Sequence, residues 1–113
     1  MRRPMQQDRI GLVAVIFRST RNDEDEAGYA AAADAMDRLA SRQPGYCGID
    51  SARGPDGVGL TVSYRADEAA ALAWRDHPDH AAIRDRGRER WYRDYRVDVA
   101  RVERGYAWTR PRG

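Results

Sequence analysis

The chain has 113 residues, of which 42% are hydrophobic and 34% charged, and its net charge is +2. This length fits one domain with one core, and no apolar run approaches the roughly 20 residues that cross a bilayer. The basic residues, all Arg, are interspersed with acidic ones, which argues against a nucleic-acid-binding face because such a face needs clustered basic charge. Cys47 is the single cysteine, so no intrachain disulfide is possible and a reducing cytoplasm is expected.

The first half of the sequence predicts a strand, a helix and a hairpin. Residues 1–9 are basic, lack the apolar segment of a signal peptide, and are expected to form a disordered arm. Residues 10–17 form an apolar, β-branched run that predicts a buried strand, and the polar residues that follow predict a loop. Residues 26–42 have helical spacing, with one apolar stripe made of Tyr29, Ala32, Ala33, Met36, Leu39 and Ala40. After the helix-ending segment QPGY, two strands at 46–53 and 58–65 flank a GPDG turn.

The second half predicts two helices and a final strand. Residues 66–74 form a short helix, for which Asp67 is a suitable N-cap. Pro78 favours the first turn of another helix, which is expected to continue to about Tyr92. Residues 94–108 alternate enough between apolar and polar side chains to predict a strand.

The resulting order β-α-β-β-α-β is that of the ferredoxin-like α+β fold, an antiparallel four-stranded sheet with helices on one face. We expect one domain over residues 10–108, followed by a tail at 109–113. The first strand is apolar on both faces, so the face of the sheet without helices needs a cover. A homodimer packed through its sheets is the simplest arrangement.

Four segments carry a resemblance to a known family: QPGYCGIDSAR, GLTVSYR, AWRDHPDH and GRERWYRDYRVDVARVER. They resemble the antibiotic biosynthesis monooxygenase family, and the resemblance extends over residues 10–107. It implies a dimeric α+β barrel. It also implies one of the family's activities, which include cofactor-independent oxidation of aromatic polyketides and haem degradation.

The sequence departs from this family at two places. In SYR, Arg65 stands where the related segment often has Trp. The haem-degrading branch uses an Asn, a Trp and an axial His about ten residues after that Trp. Trp74 matches the Trp, but Arg84 stands at the position of the His, and Asn22, the only Asn, follows the first strand instead of lying within it.

Three functions therefore stay open. The leading hypothesis is a cofactor-independent monooxygenase that uses dioxygen to oxidise a small aromatic substrate and needs neither nucleic acid nor membrane. The first alternative is a haem-binding or haem-degrading protein with His80 or His77 as axial ligand. The second is a non-catalytic accessory protein that binds or shapes a pathway intermediate.

The expected catalytic residues are His80, Tyr64 and Trp74. Helical spacing places His80 on the inward side at the start of its helix, where burial and the helix N-terminus disfavour the charged imidazole. A neutral imidazole can act as a general base, although a structural histidine at the edge of the core would look the same. Tyr64 offers a hydroxyl to a substrate oxygen, and Trp74 offers a wall for a flat ring.

The expected substrate-binding residues are His77, Arg84 and Trp91. His77 precedes a proline and is expected to be extended at the mouth of a pocket. Arg84 and Trp91 fall on the same helical face as His80, with Ile83 and Gly87, whereas the opposite face carries solvated arginines. The HPDH spacing invites a zinc interpretation, but there is no third histidine, so no metal site is expected.

Overall fold

The computed structural model describes residues 9–112, which form one antiparallel sheet with helices on one of its faces. The strands have the order β2-β3-β1-β4, and the predicted ferredoxin-like α+β fold is confirmed. Apart from Arg9, the predicted N-terminal arm lies outside the described residues. In chain order the elements are β1 (Val13–Arg21), α1 (Glu26–Ala40), β2 (Tyr46–Arg53), β3 (Val58–Arg65), α2 (Glu68–Arg75), α3 (Pro78–Arg86), a π-helical turn (Gly87–Trp91) and β4 (Tyr92–Arg101).

Strand β1 lies further along the chain than its apolar run predicts. It continues through Ser19 and Arg21, which are only 0% and 6% exposed. Arg53 donates a hydrogen bond to the Ser19 hydroxyl (2.9 Å), and Nε of Arg21 donates one to the carbonyl of Trp91 (3.2 Å). Buried polar groups are tolerated when they are hydrogen-bonded, and these partners come from distant parts of the chain. The prediction of a loop here was therefore wrong.

Helices α1 and α3 begin where the sequence predicts and end earlier, whereas α2, predicted at 66–74, begins two residues later and ends one residue later. The apolar stripe of α1 faces inward, and the carboxylate of Asp67 caps α2 by accepting a hydrogen bond from the amide of Ala70 (2.8 Å). The predicted helix from Pro78 to Tyr92 was wrong in its second half, because α3 gives way at Gly87 to a π-helical turn. That turn is closed by the amide of Tyr92 bonding to the carbonyl of Gly87. None of the helices within residues 9–112 is long and apolar enough to span a membrane.

The last strand is shorter than predicted. β4 ends at Arg101, and after the backbone of Val102 pairs with Gly11 and Leu12 the described chain has no further regular structure. Tyr106 and Trp108 both lay within the predicted strand at 94–108, and both are exposed. Alternating polarity alone cannot show where a strand runs out of neighbours to pair with.

The register of the strands separates two faces of the sheet. In the β1–β3 pair, Val13 lies opposite Arg65 and Ala14 opposite Tyr64. Directly opposed residues share a face, so Arg65 belongs to the face that carries the helices and Tyr64 to the other, open face. Leu60, on the open face, is 48% exposed.

Candidate active site

The junction of α2 and α3 holds a stack of two aromatic rings. Trp74 lies in the last turn of α2, and His80 in the first turn of α3. Their ring centroids are 4.6 Å apart and their planes differ by 25°. His77 stands between the two helices as the N-cap of α3, where its Nδ1 accepts a hydrogen bond from the amide of Asp79 (3.1 Å). This cap fixes the start of α3 and so positions His80 against Trp74.

His80 is held in its neutral form. Burial is the main reason that its pKa lies below the ordinary value of 6.5, and the positive charges of Arg84 and Arg65 lower it further. Carbonyl groups of Arg75 and Trp74 oppose this shift. Within the described chain, the buried Nδ1 of His80 has no hydrogen-bond partner. A neutral, partly buried imidazole with a free nitrogen has the properties that a general base requires.

This lowered pKa predicts a loss of stability in mild acid. Below pH 6.5 the unfolded chain protonates His80 more readily than the folded chain does, so the free energy of unfolding falls as the pH falls through this range. We expect the melting temperature of His80→Gln to drop less than that of wild type between pH 7 and pH 5. Arg86→Gln, an exposed change on the same helix, should follow wild type. Equal slopes for all three proteins would contradict this account.

Arg65 is the most unusual residue of the site. It lies at the end of β3, is 1% exposed, and has no hydrogen bond from its Nε, Nη1 or Nη2 to any residue in 9–112. Its Cζ is 5.1 Å from the ring centroid of Trp74 and 5.3 Å from that of Tyr46. Burial lowers the pKa of Arg65, whereas Tyr46 and Cys47 oppose the shift.

A buried cation of this kind is costly to the fold. Arginine stays protonated in proteins, and leaving one member of a buried ion pair alone costs about 3–5 kcal/mol. Contacts between the guanidinium and aromatic rings offset about 0.5–2 kcal/mol of this destabilisation. Sequence reasoning did not name Arg65 as a site residue. The available signal was its place in SYR, where the related segment often has Trp.

Within one chain, the structure does not bring Tyr64 to the α2–α3 junction, where Trp74 and His80 stack. Tyr64 lies on the open face of the sheet, where Cζ of Arg9 lies 4.3 Å from its ring centroid. Arg84, by contrast, lies half-buried on the inward side of α3 and donates a hydrogen bond to the carbonyl of Arg75 (3.4 Å). Of the predicted site residues, His77, His80, Trp74 and Arg84 are therefore gathered at the α2–α3 junction.

Trp91 belongs to a second aromatic cluster, in which Tyr29 is a neighbour. It is 2% exposed, and its Nε1 donates a hydrogen bond to a carboxylate oxygen of Asp25 (3.2 Å). The ring of Tyr29 meets it edge to face, with centroids 5.8 Å apart. Since both its ring and its only polar atom are engaged, this environment is that of a packing residue.

No group of three or more His, Cys, Asp or Glu side chains in residues 9–112 is arranged to hold a metal ion. A surface groove does lie beside the stack. It has a volume of about 440 Å³ and is lined by Trp74 together with Gln43, Pro44, Gly45, Ala66, Asp67, Ala70 and Ala73. A second groove, of about 430 Å³, separates α1 from α3. The site therefore combines a free histidine nitrogen, an unpaired guanidinium and an indole that borders a groove.

The four-stranded antiparallel sheet with helices on one face places the protein among the small ferredoxin-like α+β proteins. The family described as antibiotic biosynthesis monooxygenase matches residues 12–86, and the chain belongs to this family. An uncharacterized protein of Bacillus subtilis, YqjZ, is 45% identical over 91 residues, which cover 80% of this chain and 79% of that protein.

Solved structures show the same fold at low sequence identity. SnoaB, a cofactor-independent oxygenase from Streptomyces nogalater, superposes with a TM-score of 0.71 at 14% identity, over 84% of this chain and 96% of its own. Rv0793 from Mycobacterium tuberculosis gives a TM-score of 0.74 at 21% identity, over 85% of this chain and 99% of its own. At these identities the likeness concerns the fold alone.

Proposed function

We propose that the protein is a cofactor-independent monooxygenase that oxidises a small, polyketide-like aromatic molecule in secondary metabolism. Membership of the family and the fold shared with a cofactor-independent oxygenase support this proposal. The observation that carries it is the Trp74–His80 stack, in which the imidazole is neutral and its buried Nδ1 is free.

The chemistry needs a substrate that can itself reduce dioxygen. His80 removes a proton from a phenol or from a carbon activated by neighbouring rings, and the resulting anion transfers electrons to dioxygen. Overall, a ring CH2 group and O2 give a carbonyl group and water, so all four electrons come from the substrate. Trp74 forms one wall of the ring-binding slot, Arg84 stabilises the developing oxyanion, and His77 contacts the substrate at the entrance. Tyr64 has no role within this pocket, because it faces the other side of the sheet.

We also propose that the protein is a homodimer formed through the open face of the sheet. Leu60 is 48% exposed there, and the same face carries Ile16, Val62 and Tyr64. A second copy of this face offers the same apolar surface, as a two-fold axis requires. In such a dimer Tyr64 would lie at the interface between subunits.

Oxygen uptake tests the proposed activity. The purified protein, treated with a chelator and supplied with neither flavin nor nicotinamide, is mixed with a panel of polycyclic phenols in labelled dioxygen. We expect one oxygen atom in the product and one in water, with no hydrogen peroxide. Uptake that depends on an added reductant, or that ends in hydrogen peroxide, would contradict a cofactor-independent monooxygenase.

A haemin titration separates the alternatives. A Soret band that saturates at one haem per subunit and disappears in His80→Ala would favour the haem protein instead. Tight binding of the phenols without any oxygen uptake would favour the non-catalytic accessory protein.

A further inference from the structure

We propose that Arg65 recognises a negatively charged ligand, and that this ligand is a small, flat organic anion held through a carboxylate or phenolate oxygen. Arg65 and its ring neighbours form the anion site, defined here as Arg65, Tyr46, Trp74 and His80. The proposal that Arg65 binds such an anion depends only on the geometry around its guanidinium. The further statement that the anion is the substrate rests on the proposed function.

The unpaired guanidinium is the first argument. Buried charges in folded proteins are normally paired, yet Nε, Nη1 and Nη2 of Arg65 are all buried without a partner in the described chain. The planar fork of an arginine matches the two oxygens of a carboxylate, and such charge-assisted hydrogen bonds are among the strongest in proteins. The group that Arg65 lacks is therefore an anionic oxygen, which a ligand can supply.

The surroundings of Arg65 indicate what the rest of the ligand is like. The rings of Tyr46 and Trp74 both lie within 5.3 Å of its Cζ, and aromatic faces of this kind favour flat, conjugated groups. His80 stacks on Trp74 and is neutral, so it does not add a second positive charge. Its free Nδ1 can bond to a hydroxyl group beside the anionic oxygen.

Trp74 also provides a route to the guanidinium. Its indole lines the groove of about 440 Å³ and at the same time lies 5.1 Å from the Cζ of Arg65. The indole therefore borders both the groove and the guanidinium, so a ligand that enters from the groove has to displace this ring. Because α2 ends directly after Trp74, at Arg75, the ring lies at the end of its helix, close to the α2–α3 junction.

Competition between matched probes tests the anion site without any turnover. Benzoate and benzamide have nearly the same shape and differ in charge, and their binding is measured by calorimetry and by the NMR signal of the Arg65 Nε–H group. We expect wild type to prefer benzoate at least about tenfold and the Arg65 signal to shift. Arg65→Gln should reduce this preference to about twofold or less, whereas Arg86→Gln, which removes an exposed charge from α3, should keep it. Substituting 4-nitrophenolate for benzoate distinguishes a phenolate ligand from a carboxylate.

Several results would overturn the inference. These are equal affinities for benzoate and benzamide in wild type, no binding of benzoate at millimolar concentrations, or an unchanged preference in Arg65→Gln. If Arg65→Gln does not fold, the test is whether benzoate shifts the Nε–H signal of Arg65 in wild type. An unshifted signal would then overturn the inference. Oxygen uptake that survives Arg65→Gln unchanged would leave the proposed function standing and reject Arg65 as the residue that binds its substrate.

Discussion

Replacing Trp91 by alanine is expected to lower the free energy of unfolding by about 3–5 kcal/mol. The ring is 2% exposed and packs edge to face on Tyr29, so its removal leaves a cavity beneath α1. The change also removes the hydrogen bond from Nε1 to Asp25. Since small domains are stable by only about 5–15 kcal/mol, urea denaturation of Trp91→Ala should show a much lower midpoint or no folded baseline.

Trp91→Phe is the matched control for this change. Phenylalanine keeps most of the apolar volume and the edge-to-face contact but cannot donate to Asp25. Its loss of stability should be clearly smaller than that of Trp91→Ala. If the free energy of unfolding of Trp91→Ala lies within about 1 kcal/mol of the wild-type value, Trp91 is not a packing residue. The prediction that it contacts substrate would then be favoured.

Replacing His80 by glutamine is expected to lower kcat about 10²–10⁴-fold on any phenol that wild type oxidises. The physical reason is the loss of the proposed base, His80, whose lowered pKa favours the neutral imidazole and whose buried Nδ1 has no hydrogen-bond partner in the described chain. Oxygen uptake by the variant should follow substrate concentration with a KM close to that of wild type, because glutamine preserves much of the packing against Trp74.

The pH dependence of kcat/KM tests the role of His80 independently. The base must be unprotonated, so wild-type kcat/KM should fall as the pH falls through the His80 pKa, below its ordinary value of 6.5. This acid limb should be missing in His80→Gln and present in Arg86→Gln. A glutamine variant with more than a third of wild-type activity, or with the acid limb intact, would assign the base to another residue.

Local sequence patterns determined most of the framework. The hairpin strands at 46–53 and 58–65 and the start of α1 at Glu26 were predicted where they occur. The inward face of α3, with His80 and Arg84, was predicted as well. Each of these features depends on side-chain spacing within one element, and the 3.6-residue and 2-residue periods are fixed by the backbone alone. The family resemblance also rests on short segments, and three of the four lie within residues 12–86, over which the family is confirmed.

Tertiary structure decided what these elements expose and bury. The alternation of Tyr64 and Arg65 was visible in the sequence, but only the packing of α2 shows that the arginine side is the covered one. Polarity alone would place Arg65 on the open face and Tyr64 on the covered one, because arginine is rarely buried without a partner. Ser19 and Arg21 were likewise assigned to a loop, since the partners that hold them in the sheet, Arg53 and the carbonyl of Trp91, are more than 30 residues away in the chain. A buried polar group is stabilised by distant neighbours, and sequence periodicity contains no information about them.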